Sequence, residues 1–430
     1  MSENRVRRTR SQTFSLVAAL TLCFVAAACQ KKAPPPPAVE SYLYIWTGDQ
    51  ARKAPDFLAV VNFDNTSADY GKVITTVPLP EPGSTWNEPH HVGLSTDGKT
   101  LACGGLLSVL KGQKEIFFFD LADPKAPKLV GEADPPQSGV ADEFVPLEEG
   151  GFLVTMMGGA QGHAPGRVAE FDGHGLLVAE HPAAPPKDGF NPHGISIRPD
   201  LNLMVTSDFI CPSSTLHAMK GGLAIRGSVR VWDLKERTIL RTIKVGQGAG
   251  TIDVRLIPGD GAGRAYTAGM ADDQLYLIDT QAGTAKPVFD FSTIAKGGWP
   301  QLLRTTKDGR RLFVTLNTAG RVAMLDITNP ETPSMVKVVD LGPNSGPHYL
   351  ALSPDEKRLI VTDYFLNEDD AGKVHAEGDH KVHVFNVADN DLTLDPAWNL
   401  DMNTAVPTGP ARPHGVAVVQ VETPSQKAGL

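Results

Sequence analysis

Cysteine is scarce in this chain: there are four in 430 residues. Cys23 lies inside an N-terminal export segment and Cys29 at its end, which leaves Cys103 and Cys211 for the folded body. Two thiols allow at most one disulfide, and sequence spacing does not bring them together. Buried structural thiols are the expected outcome. The other reading gives Cys103, just downstream of His90-His91, a metal or redox role. Basic charge is also short. Lys and Arg number 40 against 49 Asp and Glu, for a net charge of −9. No basic stripe is present, which excludes nucleic acid as a partner. The apolar run from Phe14 to Ala28 is too short, and wrongly flanked, to span a membrane as an ordinary helix.

That run follows Arg5, Arg7, Arg8 and Arg10, the pattern of a bacterial signal peptide over residues 1–28. Ala26-Ala27-Ala28-Cys29 resembles a lipobox, so the sequence predicts a lipidated Cys29 and a periplasmic, membrane-anchored protein. The alternative is a plain secretory signal cut near Ala28. Residues 29–41, with Pro34 to Pro37, read as an extended tether. The membrane is then touched only through the lipid.

The body is 41% hydrophobic with 42 Gly and 34 Pro, a composition of short strands and tight turns. One stretch recurs through it. Pro192-His193-Gly194-Ile195-Ser196-Ile197-Arg198-Pro199-Asp200 returns as Pro347-His348 through Asp355, as Pro89-His90 through Asp97, and as the shortened Pro413-His414-Gly415-Val416-Ala417-Val418. Each copy alternates as a strand does, and in the complete copies a turn and a second strand follow. Degenerate copies place Asp253, Gln301 and Glu143 (or Asp142) at the equivalent position. Seven copies at roughly 50–65-residue spacing predict an all-β, seven-bladed propeller over residues 42–424, with 425–430 as a tail. The strand 415–421 is expected to close the ring against three N-terminal strands. Long insertions follow the second strands of units three and six, at 208–226 and 366–381. Either site lids or surface decoration suits them.

In a propeller the first strand of each blade lines the channel, so His90, His193, His348 and His414 form a ring. Four imidazoles in one low-dielectric channel imply metal binding, to copper or alternatively iron. The competing reading has each His brace a neighbouring blade. His91 reaches the site only if the strand is irregular there. Glu88 and Gln301 are placed to orient ligands, and Glu143 and Asp253 to accept protons.

The chain resembles the selenium-binding protein family, whose bacterial members include copper-dependent methanethiol oxidases. Matching stretches are Ala54-Pro55-Asp56-Phe57-Leu58, Glu88 with His90-His91, Pro127-Lys128-Leu129, Gly227-Ser228 with Val231-Trp232-Asp233, Asp253-Val254-Arg255-Leu256, Asp326 to Pro330, and Leu352 to Asp355 with Lys357-Arg358-Leu359. The resemblance implies a seven-bladed propeller and oxidation of methanethiol, with oxygen and water, to formaldehyde, hydrogen sulfide and hydrogen peroxide. It carries copper ligation onto His90, His91 and His414. The family's second-blade His falls on Asp142-Glu143-Phe144, while His193 and His348 fall where animal members have other polar residues, so the ligand set is redrawn here; the selenium-linked Cys of animal relatives falls near Gly71, so that chemistry is not supported. A non-catalytic metal- or partner-binding lipoprotein is the alternative function.

Overall fold

The structure, a computed structural model, describes residues 39–216, 224–364 and 378–422. Seven antiparallel sheets of four strands or more follow one another around a ring. Their innermost strands are Pro89–Leu94, Ser138–Pro146, Pro192–Arg198, Thr251–Leu256, Pro300–Thr305, Pro347–Leu352 and Ala411–Glu422. The propeller is thus the architecture that the repeat predicts. Among the described residues no helix is long and apolar enough to cross a membrane.

Closure is as expected in kind and longer in extent. Ala411–Glu422 pairs antiparallel with Val39–Asp49, from Val39 opposite Glu422 to Asp49 opposite Ala411. The first and last described strands therefore share one sheet, and the inner strand Ala411–Glu422 takes its partner from the N-terminal side. That closing blade is fastened on both sides. Towards the first blade, Trp46 packs on Phe117 and Phe119 at ring separations of 5.6 and 5.9 Å, and its Nε1 donates to Gly104 O at 2.7 Å. Towards the sixth, Trp398 meets Phe63 and Tyr70, and the Arg358 guanidinium lies 3.6 Å from the Phe63 ring. Each such buried aromatic contributes about 1.5–3 kcal/mol.

The turn chemistry explains why the repeat looks as it does. Ser95, Thr306 and Ser353 each donate a hydroxyl to the Asp two residues on, Asp97, Asp308 and Asp355. The same hydroxyls accept the N–H of Thr100, Arg311 and Arg358, closing the hairpin. Asp200 departs from this pattern. It pairs with Arg198 while Pro199–Leu201 makes a short 3-10 turn. The Asp residues that end third strands cap the outer hairpins, as Asp120, Asp233, Asp279 and Asp326 accept backbone N–H groups downstream.

Two devices hold the inner strands together where the histidines sit. Hydroxyls on second strands bond the backbone of the next blade's histidine: Thr155 donates to His193 O, Thr315 to His348 O and Thr362 to His414 O, at 2.5, 3.1 and 2.5 Å. Glycine follows two of the histidines because the next strand leaves no space. A Cβ on Gly415 would stand 2.5 Å from His90 O, and one on Gly194 2.8 Å from the Asp253 Cα.

Gly415→Ala is expected to cost about 1–3 kcal/mol by overpacking. Gly261→Ala, where a Cβ meets nothing within 4 Å, should leave stability nearly unchanged. Thermal unfolding of the two variants beside the parent protein checks this; equal melting temperatures would show that the inner strands have slack.

Candidate metal centre

The inner strands deliver their first residues to one end of the channel. His90, His91, His193, His348 and His414 are all buried there, with exposures of 3% or less. His91 belongs to the centre. Glu88 has a positive φ of 52°, and the pairing with the second strand slips between Pro89 and Val92. That bulge turns two consecutive side chains inward, the irregularity that His91 required. A second bulge, between Ala141 and Phe144, does the same for Asp142 and Glu143, so both acids point in rather than one or the other.

The histidines form a set with two sides rather than one even ring. His90, His91, His348 and His414 have ring nitrogens that lie within 4.8 Å of one another. His91 Nε2 is 3.2 Å from His348 Nε2, the His90 and His91 rings stack at 4.2 Å, and His414 lies 4.3 Å from His90. His193 sits to the side with Asp142, its Nδ1 3.2 Å from Asp142 Oδ1. Asp142 also approaches His90 Nε2 at 3.2 Å and His91 Nδ1 at 3.1 Å. Gln301 Oε1 accepts from His348 Nδ1 at 2.5 Å, which leaves the Nε2 lone pair facing the centre.

These residues fit a metal ion on two counts. Both ring nitrogens of His414 are buried without a hydrogen-bond partner, as are Nδ1 of His90 and both oxygens of Asp142. Buried polar atoms are seldom left in that state. The close contacts of Asp142 with the imidazoles thus have short distances without hydrogen-bond angles. Ligand atoms held tetrahedrally at ~2.0–2.1 Å from an ion stand roughly 3.3 Å apart, which these separations match. Among the described residues Cys103 joins none of the metal-capable groups. It is a buried thiol pushed well up in pKa by burial. Cys211, the other free thiol, is half-buried beside Ser213.

The electrostatics separate the imidazoles. Burial, followed by the charge of neighbouring imidazoles, holds His348 and His414 well below the usual histidine range. His193 falls to about 4, chiefly through burial. His91 goes the other way. Burial opposes its protonation, but the Asp142 and Glu143 carboxylates outweigh it and raise it to about 9. Asp142 is held well below the carboxylate range because three imidazoles outweigh its burial.

Of the remaining predicted residues, Glu143 divides its oxygens between His91 Nδ1 at 3.3 Å and Arg255 Nη2 at 2.8 Å. Asp253 is not brought to the imidazoles. It accepts N–H groups of Val254 and Leu303 and pairs with Arg255 at 3.1 Å. Glu88 braces the rim by pairing with Arg52 and Arg412. The sequence reading missed the second-strand threonines. Their signal is the Val-Thr step that recurs at Thr155, Thr315 and Thr362. It also missed a cavity of ≈ 20 Å³ against His414, walled by Asp363, Tyr364, His380, Arg412 and Gln50. Tyr364 lies 4.3 Å from the His414 ring and Phe209 5.3 Å from His193. The described ends of both insertions therefore border the centre. His217 and His375 within those insertions lie outside the described residues, as do residues 1–38.

Over 397 residues the chain is 28% identical to a methanethiol oxidase from Hyphomicrobium sp, covering 85% of this chain and 87% of that protein. It is 24% identical to selenium-binding protein 2 of Mus musculus, covering 84% and 89%. A hypothetical selenium-binding protein from Sulfolobus tokodaii shares the fold at a TM-score of 0.73 and 18% identity, over 90% of this chain and 94% of that one. The profile of the 56 kDa selenium-binding protein family spans residues 28–426, and the chain belongs to that family.

Proposed function

We propose that this protein is a copper-dependent oxidase of a small thiol such as methanethiol, exported to the periplasm and held there by lipid on Cys29. The observation that carries the proposal is the buried set His90, His91, His348 and His414, with both nitrogens of His414 unpartnered beside a cavity. Relatives called methanethiol oxidase at 22–28% identity supply the substrate class. A cavity of ≈ 20 Å³ has room for about one water or a substrate of very few atoms. Its position against His414 favours catalysis over a closed storage site.

Copper bound by these imidazoles would supply the Lewis acidity that ionises a thiol and the redox couple that reaches oxygen. The protein's own residues do the rest. Gln301 fixes the tautomer of His348. Asp142 places a full negative charge among the imidazoles, which offsets the charge of a cation in a dry channel. Glu88, clamped by Arg52 and Arg412, holds the cavity's rim. The Arg255 contact makes Glu143 a poor base and also occupies Asp253. Two carboxyls line the cavity: Glu88 is taken up by its two arginines, which leaves Asp363, raised well above its usual range by burial. It is the group placed to take the thiol proton.

Protein purified without a His-tag and reconstituted with copper is expected to hold at least about one copper per chain by mass spectrometry. His348→Ala combined with His414→Ala should abolish both the metal and thiol-dependent oxygen uptake. No stoichiometric metal after reconstitution with copper or iron would sink the oxidase reading. Gln301→Leu should weaken copper affinity about 10–100-fold while leaving the ligands in place, measured by competition with a chelator.

Copper uptake should also release protons in a defined window. In the folded chain His91 keeps its proton up to about 9, whereas His348 and His414 are neutral well below that. Binding of one ion at His91 Nε2 at pH 7.5 therefore displaces about one proton, and fewer above pH 9. Calorimetry in buffers of different ionisation enthalpy reads this directly; no buffer dependence would place the ion away from His91.

A further inference from the structure

His91 has carboxylates on one side of its ring and histidines on the other. Its Nε2 faces His348 Nε2 at 3.2 Å. Its Nδ1 lies 3.1 Å from Asp142 Oδ1 and 3.3 Å from Glu143 Oε2. His193 Nδ1 stands 3.2 Å from the same Asp142 oxygen. His91, Asp142 and Glu143 thus form a metal-capable group apart from the four-histidine set, with His91 common to both.

We propose that the centre holds two divalent first-row metal ions, one on each side of the His91 ring. The first is the ion of the proposed oxidase, on which this inference rests, held by His91 Nε2, His348 and His414. The second lies among His91 Nδ1, Asp142 and Glu143 Oε2, with His91 bridging the pair as imidazolate, both its ring protons passing to solvent. This mixed nitrogen and oxygen donor set suits copper or zinc.

Three observations carry the second position. The polar atoms that face it, Asp142 Oδ1, Glu143 Oε2 and His91 Nδ1, are all buried without hydrogen-bond partners despite their short separations. The separations from His91 Nδ1, 3.1 and 3.3 Å, are the edges expected of ligands around one ion. Charge favours a cation there as well. Asp142 pairs with no Lys or Arg among the described residues, and the Arg255 guanidinium is divided between Glu143 and Asp253. A cation that displaces the His91 proton takes over its pairing with these buried carboxylates.

The test uses the metal-free mature chain, without a His-tag, titrated with Cu(II) and desalted. About two copper ions per chain are expected, with a low-temperature EPR spin count well below the copper present, because an imidazolate-bridged pair is exchange-coupled. Asp142→Asn combined with Glu143→Gln should retain about one copper with a spin count equal to it. Circular dichroism checks that variant's fold, and Asp142→Asn alone replaces it if it fails. A parent protein that binds one copper with full spin count would overturn the second position and leave the first intact. A parent protein that binds none would overturn both.

Discussion

Burial of five imidazoles around a carboxylate, with few hydrogen bonds to hold them, is the constraint that the rest of the structure serves. Each such group loses water on folding, and an unpaired buried polar group costs about 1–3 kcal/mol. His414 pays this at both ring nitrogens. The neutral state of His348 and His414 is how the metal-free protein tolerates the crowding, and a neutral imidazole is also the form that binds metal. The same desolvation that strains the free centre thus prepares it for a cation.

The propeller meets that strain by fixing backbone rather than side chains. Threonines of one blade hold the histidine carbonyls of the next, and glycines let neighbouring inner strands approach closely. Closure of the ring through Ala411–Glu422 ties His414, near the end of the chain, to His90 and His91 near its beginning. Local stability and the assembly of the centre therefore depend on the same inter-blade contacts.

The fold was legible in the sequence because the propeller repeats one strand-turn-strand unit, and the Ser/Thr-x-Asp turn leaves a visible trace in each complete copy but one. The ring of histidines was legible for the same reason, since equivalent positions in a repeat become neighbours around an axis. What strand alternation could not show was the slip in pairing near the start of every inner strand. At His90-His91 and Asp142-Glu143 it turns two consecutive polar side chains inward where a regular strand turns one. The slip is a backbone feature, seen in the positive φ of Glu88 and Val140, and residue type alone does not mark it. Asp253 occupies the equivalent ring position yet serves Arg255, a partner two residues along that a single-position register overlooks. The cavity against His414 depends on residues from Gln50 to Arg412, which only closure brings together.

The central claim is that a metal ion sits among His91, His348 and His414. Anomalous diffraction from crystals of copper-reconstituted protein, recorded on both sides of the copper absorption edge, tests it most directly. The account predicts a strong difference peak within bonding distance of His91 Nε2, His348 Nε2 and a His414 nitrogen. A channel with no peak there, and copper found only at surface residues, would contradict it.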